Sequence, residues 1–332
     1  MHIKMDKLIA EFPKNIDDAL ETAHGLDFTS LKNKNFANVV ICGMGGSGIG
    51  GKLVAQLVAN EANVPILANQ NYNIPQFINN KTLVIGSSYS GYTEETLTAV
   101  KAAKEKGATI AAVCSGGELY EFCKENNYDV VKMPAGNPPR SALAFSSVHL
   151  LNILTQAGVI SGKRLSELEA CRAHLNENIL EIKEKAKQVA EFIPNKELII
   201  YSTPDFEPIV IRARQQFNEN AKVLCSHHIV PEMNHNELVG WGGGDDRYGV
   251  LFLDSPSSLE RNKFRMELCK KIIAKKTPHV FTLEAKGKNL AEEIMYIIHI
   301  IDWASIMLSE INNVDPIEID VINYLKGELS KI

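Results

Sequence analysis

Short apolar runs alternate along this chain with longer stretches in which apolar residues recur every three or four positions, as strands and helices taken in turn would. Asn38–Cys42, Pro65–Leu67, Thr82–Gly86, Thr109–Cys114 and Asp129–Met133 read as strands, and several are apolar at consecutive positions, the pattern of strands covered on both faces. Helices are expected between them. Residues 4–24 read as an opening amphipathic helix, Glu94 begins a helix that stops at Gly107, and another starts near Ser141 and continues to Gln156. From Ser161 to Lys196 the chain is charged and helical, a connector rather than a flexible linker. A second β–α pattern follows, with the strand Glu197–Ser202 before the helix Phe206–Ala221 and the strand Tyr248–Asp254 before SPSSLERNKFRMELCKK. The halves echo each other, since 45 residues separate Asn38 from Leu83 and 50 separate Leu198 from Tyr248. Repeated β–α units imply parallel sheets with helices on both faces, and the echo predicts two such domains, residues 1–160 and 161–332.

Composition narrows the class without deciding it. A length of 332 residues with 45% apolar and 23% charged content suits two soluble domains with substantial cores. The net charge of −5 includes no basic block, so nucleic acid and anionic membrane are not expected partners. The six cysteines form no C-x-x-C pair and several sit in apolar runs, which fits free buried thiols in a reducing cytoplasm. The N-terminal residues lack a continuous apolar signal core, and the apolar stretch Ile294–Leu308, broken by His299 and Asp302, is expected to be too short and polar to span a bilayer.

The chemistry gathers at the ends of predicted strands, where open α/β sheets bind ligands. The turn after Thr82–Gly86 reads SSYSGYTEET and leads into a helix, so its backbone amides and the positive helix end face one point, with Ser88, Ser90 and Thr93 adding hydroxyls. A single hydroxyl there would merely cap the helix. Three point to an anion, and the absence of Lys or Arg between Ser87 and Thr96 points to a phosphate monoester rather than a nucleotide polyphosphate. Earlier, GMGGSGIGG after Asn38–Cys42 satisfies G-x-G-x-x-G through Gly43, Gly45 and Gly48. A dinucleotide site would need an acidic residue near the end of the second strand, where VPILANQNY offers only Asn and Gln. Gly45 and Gly46 instead let backbone approach a sugar, and Ser47 offers one more hydroxyl.

Three further segments carry candidate groups. Arg140 in NPPRSALAFS precedes a helix N-terminus, where a cation calls for a compensating anion. Glu219 lies near the end of the helix IRARQQFNEN, where the negative dipole end makes a carboxylate a readier proton acceptor. HHIVPEMNHNELVGWGGGDD gathers His227, His228, Glu232, His235 and Glu237, a set with zinc-type donors but without H-E-x-x-H spacing, so no metal is expected.

SSYSGYTEET resembles the phosphosugar loop of sugar isomerase (SIS) domains, S-x-S-G-x-T-x-E-T, with Tyr92 where close relatives commonly have Asn. Together with GMGGSGIGG, NPPRSA, FNENAK, PEMNHNELVGW and INYLK, in that order over residues 43–326, it resembles the bifunctional phosphoglucose/phosphomannose isomerases. That resemblance implies two tandem SIS domains, each a flavodoxin-like αβα sandwich with a parallel sheet. It implies an aldose–ketose isomerase that needs no cofactor, interconverting glucose 6-phosphate and mannose 6-phosphate with fructose 6-phosphate through a cis-enediol. By motif, Ser47, Ser88, Ser90 and Thr93 fall on phosphate contacts, Glu219 on the base between C1 and C2, and Arg140 on the cation beside the enediolate. His235 falls on the ring-opening histidine, which family homodimers lend to the neighbouring subunit, and Lys326 on a C-terminal lysine associated with ring opening. The second domain, reading as a copy without glycine loop or hydroxyl cluster, leaves one phosphate site per chain. A regulatory SIS protein that only binds phosphosugars, or an isomerase of another sugar phosphate, would share the loop.

Overall fold

A computed structural model describes residues 5–331. Its first half runs α1 (Met5–Ala10), α2 (Phe12–His24), β1 (Asn38–Cys42), α3 (Gly45–Leu57), β2 (Ile66–Asn69), β3 (Thr82–Ser88), α4 (Glu94–Glu105), β4 (Thr109–Cys114), α5 (Gly117–Glu125), β5 (Asp129–Lys132), α6 (Leu143–Gln156), α7 (Lys163–Glu169) and α8 (Cys171–Glu177). The second half runs α9 (Ile179–Phe192), β6 (Glu197–Ser202), α10 (Glu207–Ala221), β7 (Cys225–Ile229), α11 (Glu237–Gly240), β8 (Tyr248–Asp254), α12 (Glu260–Ile273), β9 (Val280–Glu284), α13 (Leu290–Ile311) and α14 (Asp320–Leu329).

Packing divides the described chain into two units, residues 10–177 with 287–292, and residues 178–286 and 293–331 with 5–9. The first therefore runs past residue 160, because α7 and α8 lie against α2. Its sheet is parallel with order β2-β1-β3-β4-β5, the flavodoxin-like arrangement. β3 and β4 are buried at every position, which is why their sequences do not alternate. The second unit repeats the order one strand short, β7-β6-β8-β9, again all parallel.

Four differences from the sequence reading have physical causes. The opening helix is two: α1 ends at Ala10 and α2 restarts at Phe12 with Pro13 in its first turn, where the missing N–H is tolerated; residue 4 lies outside the described residues. β7, sequence CSHHI, had no strand signal because it is an edge strand with polar residues facing out. The second unit lacks a glycine loop after β6, but it keeps hydroxyls, since Ser255, Ser257 and Ser258 fill the β8–α12 loop. Last, α13 extends the apolar stretch to 22 residues, long and apolar enough to cross a bilayer by length and composition; 83% of its apolar window is buried within the protein, which accounts for its hydropathy.

Each unit holds a buried histidine. Burial lowers His149 in α6 to about 4 and, with a smaller push from Lys183, His299 in α13 to about 3, both from an ordinary 6.5. The folded form thus binds fewer protons than the unfolded chain below pH 6.5, so each histidine's share of stability is intact above that pH and is lost as pH falls toward its folded value. The expected slope is about 1.4 kcal/mol per pH unit for each histidine in that window. Urea unfolding at pH 7 and pH 5 measures it, and His149→Leu should flatten the dependence.

Candidate active site

The phosphate-loop candidate is built by interlocking turns. β3 stays buried through Ser88, the chain turns through residues 89–93, and α4 begins at Glu94. Gly91 has φ +72°, and a Cβ there would lie 1.8 Å from the carbonyl oxygen of Gly116, so only glycine permits this approach of the β4–α5 turn. The Gly91 carbonyl in turn accepts the Leu119 amide at 2.9 Å. Within the loop, the Ser88 and Thr93 hydroxyls bond each other at 2.8 Å and Ser90 Oγ accepts the Tyr92 amide at 3.2 Å. Thr93 occupies the N-cap position of α4 without a side-chain capping bond. Its hydroxyl faces Ser88 instead, so the positive helix end is left for a guest. Tyr92 is 70% exposed and leaves the loop's interior to the hydroxyls.

Tyr89, buried between the loop serines, ties three segments together and was not a candidate from sequence. Its amide donates to Ser47 Oγ at 2.9 Å, its carbonyl accepts from Ser115 N and Oγ at 2.8 and 2.6 Å, and its hydroxyl accepts the Asn137 amide at 3.0 Å. Burial raises the Tyr89 phenol, more strongly than the Asn137 bond lowers it, which keeps the hydroxyl protonated. The only sequence signal was that Tyr89 is one of two tyrosines in a turn otherwise made of small and hydroxyl residues.

The glycine loop is filled largely by the protein itself. A Cβ on Gly43 would sit 2.7 Å from the Ser87 carbonyl oxygen, and one on Gly48 would sit 2.6 Å from the Gly43 carbonyl oxygen. At Gly46 a Cβ would lie 3.2 Å from the backbone of Arg140, so this glycine seats the Pro139–Ser141 turn on the start of α3. Gly45 has φ +50° with open space beside it. Arg140 itself is buried, not solvent-facing. Ser47, Ser88, Ser90, Thr93 and Arg140 are thereby gathered around one set of loops in the first unit.

The remaining candidates lie in the second unit on three elements. Glu219 is half-buried in the last turn of α10. Lys222 closes that helix in the left-handed region and its ammonium donates at 2.8 Å to the carbonyls of Glu219, Asp315 and Glu318, supplying positive charge at the negative dipole end. α10 is seated on α13 by buried polar groups: Arg212 Nη2 and Nε bond Asp302 at 2.6 and 3.2 Å, Gln216 Nε2 bonds Asp302 at 2.7 Å, and Asn220 Nδ2 bonds Ser305 at 2.9 Å. His235 is exposed on a short turn, Glu232–His235, and Lys326 is exposed on α14.

The histidine-rich segment and β6 are joined by hydrogen bonds. His228 Nδ1 bonds Glu237, Tyr201 donates to the other oxygen of Glu237, and Trp241 Nε1 donates to Tyr201 at 3.1 Å. Burial pushes the Tyr201 phenol up to about 12, so it stays a donor. A cavity of ≈ 190 Å³ opens beside Glu237, Trp241 and Tyr248. Among the described residues no group of three or more His, Cys, Asp or Glu is placed to hold a metal ion.

Comparison with known proteins adds the family. Residues 30–151 match the model described as "SIS domain", and residues 182–329 match "Bacterial phospho-glucose isomerase C-terminal SIS domain". The chain is 32% identical over 338 residues to a bifunctional phosphoglucose/phosphomannose isomerase of Caldicellulosiruptor bescii, covering 99% of each chain. It is 33% identical to the protein of the same description from Aquifex aeolicus, over 89% of this chain and 91% of that one. Among solved structures, the C-terminal domain of glucosamine-fructose-6-phosphate aminotransferase from Francisella tularensis superposes with a TM-score of 0.77 at 16% identity, over 94% of this chain and 97% of that one, a likeness of fold alone.

Proposed function

Because the chain belongs to the bifunctional phosphoglucose/phosphomannose isomerase family, we propose that it interconverts glucose 6-phosphate and mannose 6-phosphate with fructose 6-phosphate. The observation that carries the reading onto this chain's own residues is the β3–α4 loop, where hydroxyls and an uncapped helix end stand ready for a phosphate monoester. Binding energy from the phosphate holds the sugar for chemistry at its other end.

The chemistry is a proton transfer between neighbouring carbons. With the pyranose opened, Glu219 takes the proton from C2 of the aldose, the C2–H electron pair forms the C1=C2 bond, and the C1=O π pair moves onto O1 to give the enediolate. The proton on O2 passes to O1, and as the O2 electron pair forms C2=O the C1=C2 pair takes back the proton from the same carboxyl group at C1, giving the ketose. Arg140 stabilises the enediolate charge that develops only during reaction. His235 and Lys326 exchange protons with the ring and anomeric oxygens during opening. The protein acts as a homodimer in which His235 serves the neighbouring copy's site; the exposure of His235 and of Val239 beside it, at 80%, fits a surface that a second copy covers. Free cysteines, five of the six buried, suit a cytoplasmic setting.

An assay coupled to fructose 6-phosphate formation, run with each aldose 6-phosphate, tests the reading. Turnover of both supports it, whereas tight binding with no turnover would make the protein a sensor. Ser90→Ala is expected to weaken binding of substrate and inorganic phosphate alike by about 1.5–3 kcal/mol, the worth of a hydrogen bond to a charged group. Unchanged titrations with both ligands would move the phosphate elsewhere.

A further inference from the structure

The β8–α12 loop repeats the phosphate-loop candidate in length and place. Residues 89–93 join strand to helix in one unit and residues 255–259 in the other, five in each case. β3 and β8 hold the same position beside the first strand of their sheet, paired from the first residue in both, Asn38 with Thr82 and Glu197 with Tyr248. What differs is the occupant. Ser255 Oγ donates to one carboxylate oxygen of Glu293 at 2.5 Å, Ser257 Oγ donates to the other at 2.6 Å, and the Ser257 amide adds a bond at 3.3 Å. Glu293 is 2% exposed, and in this second unit it reaches the loop from α13.

A buried carboxylate is tolerated only where donors replace its water, and these donors are of the kind that receive a phosphate: two serine hydroxyls and a loop amide. The nearby Asp254 carboxylate is paired with Lys270 at 3.4 Å, which offsets its repulsion of an anion. We propose that the β8–α12 loop is a second oxyanion cradle, specific for a phosphate-type group and closed by the chain's own Glu293. The duplicated fold therefore carries one open phosphate loop and one that is filled internally, and Glu293 anchors α13 in the place a ligand would take. The comparison of the two loops rests on the reading of Ser88, Ser90 and Thr93 as a phosphate site; the donors to Glu293 stand independently of it.

The test is equilibrium binding of inorganic phosphate to full-length Glu293→Ala beside the wild type. The variant should bind one more phosphate per chain and show a larger phosphate-dependent rise in Tm than the wild type, since each ligand that binds only the folded form stabilises it. Ser257→Ala in the Glu293→Ala background should abolish the gain, whereas Ser90→Ala in that background should leave it. A folded Glu293→Ala that binds no more phosphate than the wild type overturns the proposal. If the wild type binds none while Glu293→Ala binds one, the first loop has been misread and this cradle stands. Should Glu293→Ala not fold in chloride, refolding in phosphate decides: recovery of folded protein supports the cradle, and no recovery overturns it.

Discussion

Replacing Glu219 by glutamine is expected to lower kcat by roughly 10²–10⁴-fold for both aldose 6-phosphates, the range for lost acid–base catalysis. That is about 2.7–5.5 kcal/mol of transition-state stabilisation. Glutamine keeps the size of the side chain and its hydrogen bonding, so α10 and its clasp by Lys222, which uses the backbone carbonyl of residue 219, should be undisturbed. KM should change little, because in the proposed mechanism ground-state binding comes from the β3–α4 loop and the lost interaction belongs to the transition state. The wild type in deuterated water should also place deuterium at C2 of glucose 6-phosphate made from fructose 6-phosphate. Full turnover by Glu219→Gln would remove this residue from the mechanism.

The sequence disclosed most where one residue's environment is set by its near neighbours. β1, β4, β6 and β8 lie where unbroken apolar runs placed them, because buried parallel strands write their burial into consecutive positions. The strand–turn–helix build of the β3–α4 loop was legible for the same reason, since its hydroxyls, glycine and helix start are contiguous. What stayed hidden depends on residues far apart in the chain. Tyr89 matters through Ser47, Ser115 and Asn137, and nothing local marks it as the tie between three loops. Glu293 reads as one acidic residue at the start of an apolar helix until Ser255 and Ser257 are seen around it. The glycine loop shows a second constraint that its sequence does not: Gly43 and Gly48 are needed for close passage of the protein's own backbone, and Gly46, read with Gly45 as a sugar-approach residue, also seats the Arg140 backbone. Lys222 likewise supplies charge to a helix end that looked uncompensated from the sequence of α10 alone.

A larger effect on stability is expected at Asp302, the residue that interrupts the apolar pattern of α13. Arg212 and Asp302 are each 3% exposed, so both charges have left water and are held by each other and by Gln216. Breaking such a pair from one side costs about 3–5 kcal/mol, because the remaining charge stays buried without its counter-ion. Asp302→Ala should therefore lower unfolding stability by that amount, read as a lower urea midpoint with an unchanged m-value. Removing the whole network is a different experiment. Arg212→Met, Gln216→Leu and Asp302→Leu together exchange desolvated polar groups for apolar ones of similar volume, and such replacements are often neutral or stabilising by about 1–4 kcal/mol. The triple variant should thus recover most of what Asp302→Ala loses. If Asp302→Ala costs less than about 1 kcal/mol, the pair behaves as a solvated one and its burial does not govern its energetics. If the triple variant is as unstable as the single one, packing at the α10–α13 contact, rather than the stranded charge, sets the loss.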